Sequence, residues 1–323
     1  MFDTLVEKLK KDPKTIVFTE GPDARILEAT ARIKAEGIMK VVLVGNVAEV
    51  EAAAKKGGFD IEGVEIIDPE TYTEMDAMVA KMVELRKGKM TPEQCKANLL
   101  KGNYFGTMLV KMGKADCLLG GATYSTADTV RPALQLIKTK PGNSIVSSCF
   151  IMVRDKADGT QEKLAMGDCA INMHPTEDNL VEIAQETAKC AETFGIDPKV
   201  AFLSFSTKGS AKDDEVTKVQ NAVAKAKEVM TVPVDGEMQF DAAVAPEVGQ
   251  LKFPGSPVAG QANTFIFPDV TAGNIGYKIA ARLGGFAAYG PILLGLNAPI
   301  NDLSRGCNAD EVYKMAIITA GLA

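Results

Sequence analysis

The sequence predicts an α/β fold in two domains, and three observations lead to it. At 323 residues the chain is too long for one ordinary hydrophobic core, so two domains are expected. Along the first half, segments with strand and helix periods alternate, which is the βαβ rhythm of a mostly parallel sheet covered by helices. At residues 139–143 a turn-rich break then interrupts this alternation, and the segment after it begins with two predicted strands joined by a turn.

The elements of the first half follow from hydrophobic periodicity. Short apolar runs rich in β-branched residues predict the strands, and apolar positions three and four residues apart predict the helices. The predicted strands are 14–19, 41–44, 64–68 and 116–119. The predicted helices are 24–36, 47–56, 72–87 and 91–111.

The second domain is predicted at 141–292. Its elements are strands at 144–153, 162–170 and 200–205, helices at 176–194 and 213–230, and a turn-rich stretch at 253–260. The terminal strand and helix, about 293–323, are expected to return to the first domain. That domain is therefore predicted to be discontinuous, comprising 1–140 and 293–323.

Composition and charge narrow the class of function. A net charge of −6 argues against a general nucleic-acid binder. No apolar run reaches the roughly 18 residues that a membrane span needs, and the charged amphipathic N-terminus is unlike a signal peptide. The six cysteines contain no Cys-x-x-Cys pair, so reduced thiols and a cytoplasmic protein are expected. His174, the single histidine, excludes a His-rich metal site.

Side chains that could bind substrate or catalyse a reaction are most concentrated in and just after the C-terminal segment Pro299-Ile-Asn-Asp-Leu-Ser-Arg-Gly-Cys-Asn308. It follows an apolar, strand-like run at 292–296 and precedes an apolar stretch at 312–318 that is predicted to be helical. Ser304 and Arg305 thus lie on a strand-to-helix turn. Free N–H groups at a helix N-terminus favour anions, so this turn is a candidate anion site.

Two carboxylates, Asp310 and Glu311, follow at once. A carboxylate at such a turn can move a proton. Glu311 also fits the N3 position of a helix capped by Asn308, where it would close a capping box. From the residues alone, the catalytic and the structural interpretation of Glu311 stay equally open.

Two other polar loops follow predicted strands. The first loop begins with Gly120 and Gly121, which let the backbone approach a ligand. It offers hydroxyl donors on Ser125, Thr126 and Thr129, and the planar guanidinium of Arg131 is suited to phosphate oxygens. Ser125 and Asp128 fit a helix cap equally well.

The second loop is Ser204-Phe-Ser-Thr-Lys-Gly-Ser-Ala211. Its Ser206, Thr207 and Lys208 suggest a phosphate cradle. The spacing is not that of a Walker A motif, and a solvated turn is as good an interpretation. Taken alone, the residues indicate an α/β enzyme that acts on a phosphorylated anion.

Long motifs over nearly the whole chain resemble those of the short-form phosphate acetyltransferases. The C-terminal signature is Asn301-Asp-Leu-Ser-Arg-Gly-Cys307. The others are Glu20-Gly-Pro-Asp-Ala-Arg-Ile-Leu-Glu28, Glu84-Leu-Arg-Lys87, Ser125-Thr-Ala-Asp-Thr-Val-Arg-Pro-Ala133, Gly167-Asp-Cys-Ala-Ile171, Leu203-Ser-Phe-Ser-Thr-Lys-Gly-Ser-Ala211, Gly236-Glu-Met-Gln-Phe-Asp-Ala-Ala243 and Phe267-Pro-Asp-Val-Thr-Ala-Gly-Asn-Ile-Gly-Tyr-Lys278.

The resemblance implies two α/β domains with the active site in the cleft between them, an architecture like that of the isocitrate and isopropylmalate dehydrogenases. It implies a homodimer that interconverts acetyl-CoA plus phosphate with acetyl phosphate plus CoA. It implies no metal or prosthetic group, and it makes CoA a substrate and not a cofactor. We expect direct attack of the CoA thiolate in a ternary complex.

The resemblance also implies roles for individual residues. Ser304 corresponds to a serine assigned to transition-state stabilisation, and Arg305, Arg86 and Arg131 to arginines implicated in substrate binding or catalysis. The family's base is an aspartate seven residues after the serine. Here that position is Glu311, and an aspartate, Asp310, lies one place earlier, so either carboxylate could serve. The remaining predicted substrate contacts are Ser125, Thr126, Thr129, Ser206, Thr207, Lys208, Cys169 and Asn301.

Three other functions stay open. Phosphate butyryltransferase uses the same machinery with a roomier acyl pocket, and the acetyl-type motifs favour the acetyl enzyme over it. A metal-dependent decarboxylating dehydrogenase needs clustered aspartates and a nucleotide site, and the sequence offers neither. The intact Ser304, Arg305 and carboxylate set argues against a non-catalytic acyl-phosphate or CoA-binding protein.

Overall fold

The structure, a computed structural model, describes residues 2–323 and divides into two compact units. The first comprises the chain up to Pro141 together with Leu296–Ala323, and the second is Gly142–Gly295. Each unit has its own β-sheet with helices packed on it. This confirms the predicted α/β fold class.

The sheet of the first unit is parallel and has the strand order β11-β4-β1-β2-β3. Its strands are β1 (Thr15–Phe18), β2 (Lys40–Val44), β3 (Glu65–Ile67), β4 (Cys117–Gly120) and β11 (Ile300–Asp302). Val17 in β1 lies between Val42 and Leu118 of its two neighbours. All three side chains are buried, as expected for strands covered by helices on both faces.

Eight helices of the first unit surround this sheet in the described part of the chain. They are α1 (Phe2–Lys11), α2 (Ala24–Glu36), α3 (Val47–Gly57), α4 (Met75–Arg86), α5 (Pro92–Leu99), α6 (Gly102–Lys111), α7 (Thr126–Pro132) and α13 (Ala309–Gly321). A π-helical turn, Ala133–Ile137, extends α7. Helix α2 has the predicted bounds because Asp23 caps its start and Gly37, in the left-handed region, ends it.

The single helix predicted at 91–111 is instead two helices, α5 and α6. Lys101 between them is extended, with φ −92° and ψ 129°. Gly102 then starts α6 in direct contact with the backbone carbonyl of Thr19, where a Cβ atom would clash. The break therefore lets the new helix begin against the carboxyl end of β1, the central strand of the sheet.

The sheet of the second unit is mixed and has the order β10-β5-β6-β9-β7-β8. Its strands are β5 (Ser147–Asp155), β6 (Gln161–Gly167), β7 (Val200–Leu203), β8 (Val234–Met238), β9 (Thr264–Ile266) and β10 (Ala287–Leu294). Its helices are α8 (Glu177–Thr193), α9 (Asp214–Val229), α10 (Phe240–Val244), α11 (Pro246–Lys252) and α12 (Val270–Leu283). None of the helices in residues 2–323 has both the length and the apolar character required to cross a bilayer.

The strand expected at 292–296 differs from the prediction in bounds and in partner. It is part of β10, which pairs antiparallel with β5 in the second sheet. The strand that returns to the first sheet is the shorter β11, next to β4. Residues 293–295 therefore belong with the second unit. The prediction was wrong on this point because an apolar run indicates a buried strand but does not specify which sheet the strand joins.

Candidate active site

Three polar loops of the first unit leave the same edge of its sheet. Strands β1, β4 and β11 are parallel neighbours, so their carboxyl ends adjoin. They lead into residues 19–23, 121–125 and 303–308. Because open parallel sheets bind ligands at this edge, these loops define the candidate active site.

The loop after β4 is held by the buried carboxylate of Glu20. One oxygen accepts the backbone N–H groups of Gly121 at 2.9 Å and Ala122 at 3.2 Å. The other accepts the N–H of Thr123 at 2.5 Å and its hydroxyl at 2.6 Å. A single side chain from the first loop thus fixes three consecutive residues of the second.

The loop after β11 is held by Arg25, which the sequence-based reasoning did not single out. Its Nη1 donates to the carbonyl oxygens of Arg305 at 2.9 Å and Cys307 at 3.2 Å. Its Nη2 donates to the carbonyl of Ala122 at 2.9 Å, and the Asp23 carboxylate pairs with it at 2.8 Å. Arg25 therefore joins all three loops.

Thr126 and Thr129 donate to a buried carboxylate. Their hydroxyls bond the two oxygens of Asp302, at 2.6 Å for Thr126 and 2.5 Å for Thr129. Burial raises the pKa of Asp302, against the opposing effect of these two hydroxyls. Both were predicted to contact substrate, but here their protons are committed to Asp302, which the sequence reasoning overlooked.

Ser125 precedes α7 and also has a local partner. Its Oγ donates to Asp128 at 2.7 Å, and the Asp128 N–H donates to the Ser125 carbonyl at 2.8 Å. The two side chains thus bond each other directly, and the helix cap that was one of two open interpretations of Ser125 and Asp128 does not form through a side chain. Arg131 makes one long contact with Asp128, at 3.4 Å, and is largely exposed, so its guanidinium is open to a ligand.

Arg86, at the end of α4, has a buried Nε that finds no hydrogen-bond partner among residues 2–323. Its charge and that of Arg131 both lower the pKa of Tyr104, against the larger effect of burial. The two guanidiniums are therefore within electrostatic reach of one ring. Buried donors without partners are rare in folded proteins, and an anionic ligand would satisfy this one.

Ser304 and Arg305 are exposed on the loop after β11. The Oγ of Ser304 accepts the N–H of Gly306 at 3.2 Å. Its own hydroxyl proton has no acceptor in the described chain, and the Arg305 guanidinium has no hydrogen bond or ion pair there either. Both groups can therefore donate to a ligand.

Asp310 is occupied by two cations. Lys314 lies 2.7 Å from one of its oxygens and Arg32 lies 3.0 Å from the other. The hydrogen bond from Lys314, assisted by Arg32, lowers the pKa of Asp310 despite its partial burial. A weakened base held by α2 and α13 is poorly suited to accept a proton from a substrate.

Glu311 forms the capping box that the sequence allowed. One of its oxygens accepts the N–H of Asn308 at 3.0 Å, and Asn308 accepts the N–H of Glu311 at 2.9 Å. The second oxygen has no hydrogen bond with the described residues. Glu311 is exposed, so a capping role leaves half of its carboxylate available.

Asn301 and two cysteines are in the interior. Asn301 is fully buried and donates to Thr319 at 2.9 Å. Cys169 in the second unit is fully buried, with its Sγ toward the Met166 carbonyl, and burial raises its pKa. The structure does not bring Asn301 or Cys169 to a surface where substrate could touch them. Cys307 is 6% exposed, and burial raises its pKa as well.

In the second unit, the loop of residues 204–211 is braced by its own hydroxyls. Ser206 is buried and donates to Glu237 at 2.8 Å. Thr207 is buried and accepts the N–H of Gln239 at 2.9 Å. Only Lys208 of the three predicted residues is exposed, in the left-handed region at φ 50°. The bonds of Ser206 and Thr207 thus shape the loop, and Lys208 is its available charged group.

No group of three or more His, Cys, Asp or Glu side chains within residues 2–323 is arranged to hold a metal ion. The available donors are instead the Ser304 hydroxyl and arginines that have at most one long carboxylate contact. Such donors are suited to phosphate and carboxylate groups. The first unit thus has the sheet edge and the side chains of an enzyme for an anionic substrate.

Comparison with known proteins identifies the family. A family model described as Phosphate acetyl/butaryl transferase matches residues 1–320, and the chain belongs to this family. It is 53% identical to a phosphate acetyltransferase of Bacillus subtilis (strain 168) over 324 residues, which span 100% of this chain and 99% of that one.

Solved structures agree. The chain resembles a phosphotransacetylase from Streptococcus pyogenes with a TM-score of 0.95 and 52% identity, covering 99% of this chain and 97% of that one. A branched-chain phosphotransacylase from Enterococcus faecalis V583 shares the fold, with a TM-score of 0.71 over 96% of this chain and 98% of that one, at 20% identity.

Gly121 provides a test of how tightly the loops are joined. Its φ is +99°, and a Cβ atom would meet the Asp302 carboxylate and the backbone of Leu303. We expect Gly121→Ala to lower the free energy of unfolding by about 1–3 kcal/mol through this overpacking. Gly113→Ala is the matched control, because it also has a positive φ of +71° but nothing within 4 Å of its Cβ position. If denaturant titrations showed equal losses in the free energy of unfolding for the two variants, the close contact of Gly121 with Asp302 and Leu303 would be contradicted.

Proposed function

We propose that this protein is a phosphate acetyltransferase, which reversibly transfers an acetyl group between CoA and inorganic phosphate. The observation that carries the proposal is the uncommitted hydroxyl proton of Ser304 next to the unpaired guanidinium of Arg305, within a family motif. Full-length similarity to phosphate acetyltransferases supports the acetyl enzyme. The branched-chain relative is only 20% identical.

The reaction proceeds by direct attack of the CoA thiol on the acetyl carbon. A free thiol has a pKa of about 8.5, so it needs a base near neutral pH. The thiol proton passes to a carboxylate, the sulfur bonds to the carbonyl carbon, and the acetyl–phosphate bond breaks to release phosphate. Holding both substrates together makes the attack effectively unimolecular.

Ser304 stabilises the oxyanion that forms on the acetyl group. Its Oγ already accepts the Gly306 N–H, which orients the hydroxyl so that its proton points elsewhere. A well-aimed donor of this kind is worth about 3–4 kcal/mol in the transition state.

The free arginines bind the anionic parts of the substrates. Arg305 lies next to Ser304 and holds the reacting phosphate or thiolate. Arg131 and Arg86 bind phosphate groups, and the unpartnered Nε of Arg86 supports that role. A guanidinium suits this task because it offers a planar pair of donors. In the second unit the exposed Lys208 is a further candidate contact.

Glu311 acts as the general base. It occupies the position seven residues after Ser304, and its capping bond leaves one oxygen unbonded. Asp310 is paired with Lys314 and Arg32, and its lowered pKa makes it the weaker base.

An acetyl-cysteine intermediate is disfavoured. The thiolate is the reactive form of cysteine, and burial raises the pKa of both Cys307 and Cys169. Both side chains are at least nine-tenths buried. Acetyl phosphate therefore transfers its acetyl group to CoA without a covalent acetyl-enzyme intermediate.

The proposal extends to partners. The small-molecule partners are CoA, acetyl-CoA, phosphate and acetyl phosphate, with no further cofactor and no nucleic-acid or membrane partner. The family resemblance also supports a homodimer in the cytoplasm. Light scattering of the purified protein measures its molar mass. The mass of a monomer at the concentration used in the activity assay would contradict the proposed dimer.

The activity itself is the first test. Purified protein should form acetyl-CoA from acetyl phosphate and CoA, followed by thioester absorbance, and a chelator should leave the rate unchanged. Butyryl phosphate should give a kcat/KM lower by about 10-fold or more, since pockets discriminate added methylenes at this level. A preference for butyryl phosphate would reassign the enzyme. Loss of rate in chelator with recovery on adding a divalent ion would contradict the metal-free mechanism.

The base is tested by two single-atom changes. Glu311→Gln preserves the capping box, because Gln at N3 makes the same bond, so stability should change by less than about 0.5 kcal/mol. Loss of the base should nevertheless lower kcat by about 10²–10⁴-fold. Asp310→Asn weakens half-exposed ion pairs, which are worth about 0–1 kcal/mol, and should leave kcat within a few-fold. A folded, fully active Glu311→Gln enzyme would exclude this base.

The anion contacts are tested by Arg131→Ala and Arg86→Ala. Each should raise the apparent KM of a substrate by about 10–100-fold, since a hydrogen bond to a charged group contributes about 1.5–3 kcal/mol. Arg32→Ala is the control, because that guanidinium pairs with Glu36 and Asp310 instead. Unchanged steady-state kinetics in either variant would remove that arginine from the site.

A further inference from the structure

Arg25 uses its whole guanidinium within the protein. An arginine has five N–H donors, one on Nε and two on each Nη. In Arg25 the Nε donor and one Nη2 donor bond the two oxygens of Asp23 at 2.9 and 2.8 Å. The other three donors face the carbonyl oxygens of Ala122, Arg305 and Cys307. Five donors therefore meet five oxygen acceptors.

This saturation separates Arg25 from the arginines assigned to substrate. A phosphate oxygen would have to displace an existing partner of Arg25. Its charge is already compensated by Asp23, which also caps helix α2 and so has a fixed position. Arg25 is thus built to hold protein oxygens and not a ligand.

Apart from the buried side chain of Cys307, the segment that Arg25 holds has few other supports. Residues 304–306 are exposed. Before them the Leu303 N–H bonds Gly120 at 2.7 Å, and after them the Asn308–Glu311 capping box begins. Within the segment the Cys307 N–H bonds the Ser304 carbonyl at 2.9 Å, which is a local turn. The carbonyls of Arg305 and Cys307 reach the rest of the unit through Arg25.

We propose that Arg25 is a positioning residue for acetyl transfer: it fixes the backbone of residues 304–307 so that Ser304 and Arg305 face the reacting groups. The proposal rests on the function proposed above. Displacing a reacting group by about 1 Å can cost 10²-fold in rate, so a loosened loop should lower kcat. Substrate affinity should change less than kcat, because Arg25 itself has no donor free for substrate and acts only through the position of Arg305.

Lysine cannot replace this arginine. An ammonium has three donors on one atom, whereas the five acceptors of Arg25 surround a planar fork. Arg25→Lys retains the charge beside Asp23 and should fold. It should lower kcat by about 10²-fold, which is a larger factor than any rise in the KM values of CoA and acetyl phosphate.

Arg32→Ala is the matched control. Arg32 lies on the same helix and also contacts the C-terminal segment, but through Asp310 and the ring of Tyr313, outside the loop. It should retain kcat within about 2-fold. Added guanidinium should restore part of the kcat of Arg25→Ala by refilling the site, and should not accelerate Arg32→Ala. A raised KM with normal kcat in Arg25→Lys would make Arg25 a substrate contact and overturn the proposal.

Hydrogen exchange gives a readout that needs no activity. A peptide that covers residues 303–308 should exchange faster in Arg25→Lys than in the wild type, and at the wild-type rate in Arg32→Ala. Unchanged exchange in Arg25→Lys would overturn the proposal. If wild-type protein lacked acetyl transfer altogether, the proposed function would fail while this measurement still decided whether Arg25 holds the loop.

Discussion

The candidate site depends on the short loop between β1 and α2 together with the first turn of that helix. Glu20 accepts the N–H groups of the loop after β4, and Arg25 donates to the carbonyls of the loop after β11. The two side chains therefore satisfy opposite halves of the peptide group. Loop backbone groups that turn inward need such partners, because an unpaired N–H or C=O away from water is costly. The junction between β1 and α2 thus fixes the shape of both neighbouring loops.

The arginines of the first unit divide their work according to their partners. Arg25 is saturated by five protein oxygens, whereas Arg305 has no partner in residues 2–323 and Arg131 has only one long contact. Arg86 is intermediate, with a buried Nε left unbonded. The same type of side chain is therefore fully bonded to protein oxygens at Arg25 and largely available for further hydrogen bonds at Arg305 and Arg131.

Local patterns made much of this structure predictable, and long-range contacts limited the rest. The helix 24–36 could be placed because its cap and its terminal glycine are adjacent in sequence. The capping box of Glu311 was one of two open interpretations for the same reason. The role of Arg25 was missed because its acceptors lie 97 and 280 residues away. Similarly, the burial of Ser206 depends on Glu237, which no spacing rule connects to it.

The chain order of the first unit has a consequence for how the protein is made. Strand β11 and helix α13 are synthesised after the whole of the second unit. Domains generally fold as they leave the ribosome, with the N-terminal one first. Here the second unit can close before the first, whose strand β4 has no neighbour on one side until residues 300–302 emerge. The loop that carries Ser304 and Arg305 is therefore made after the whole of the second unit, and a nascent chain forms this part of the candidate site only as its first core is completed.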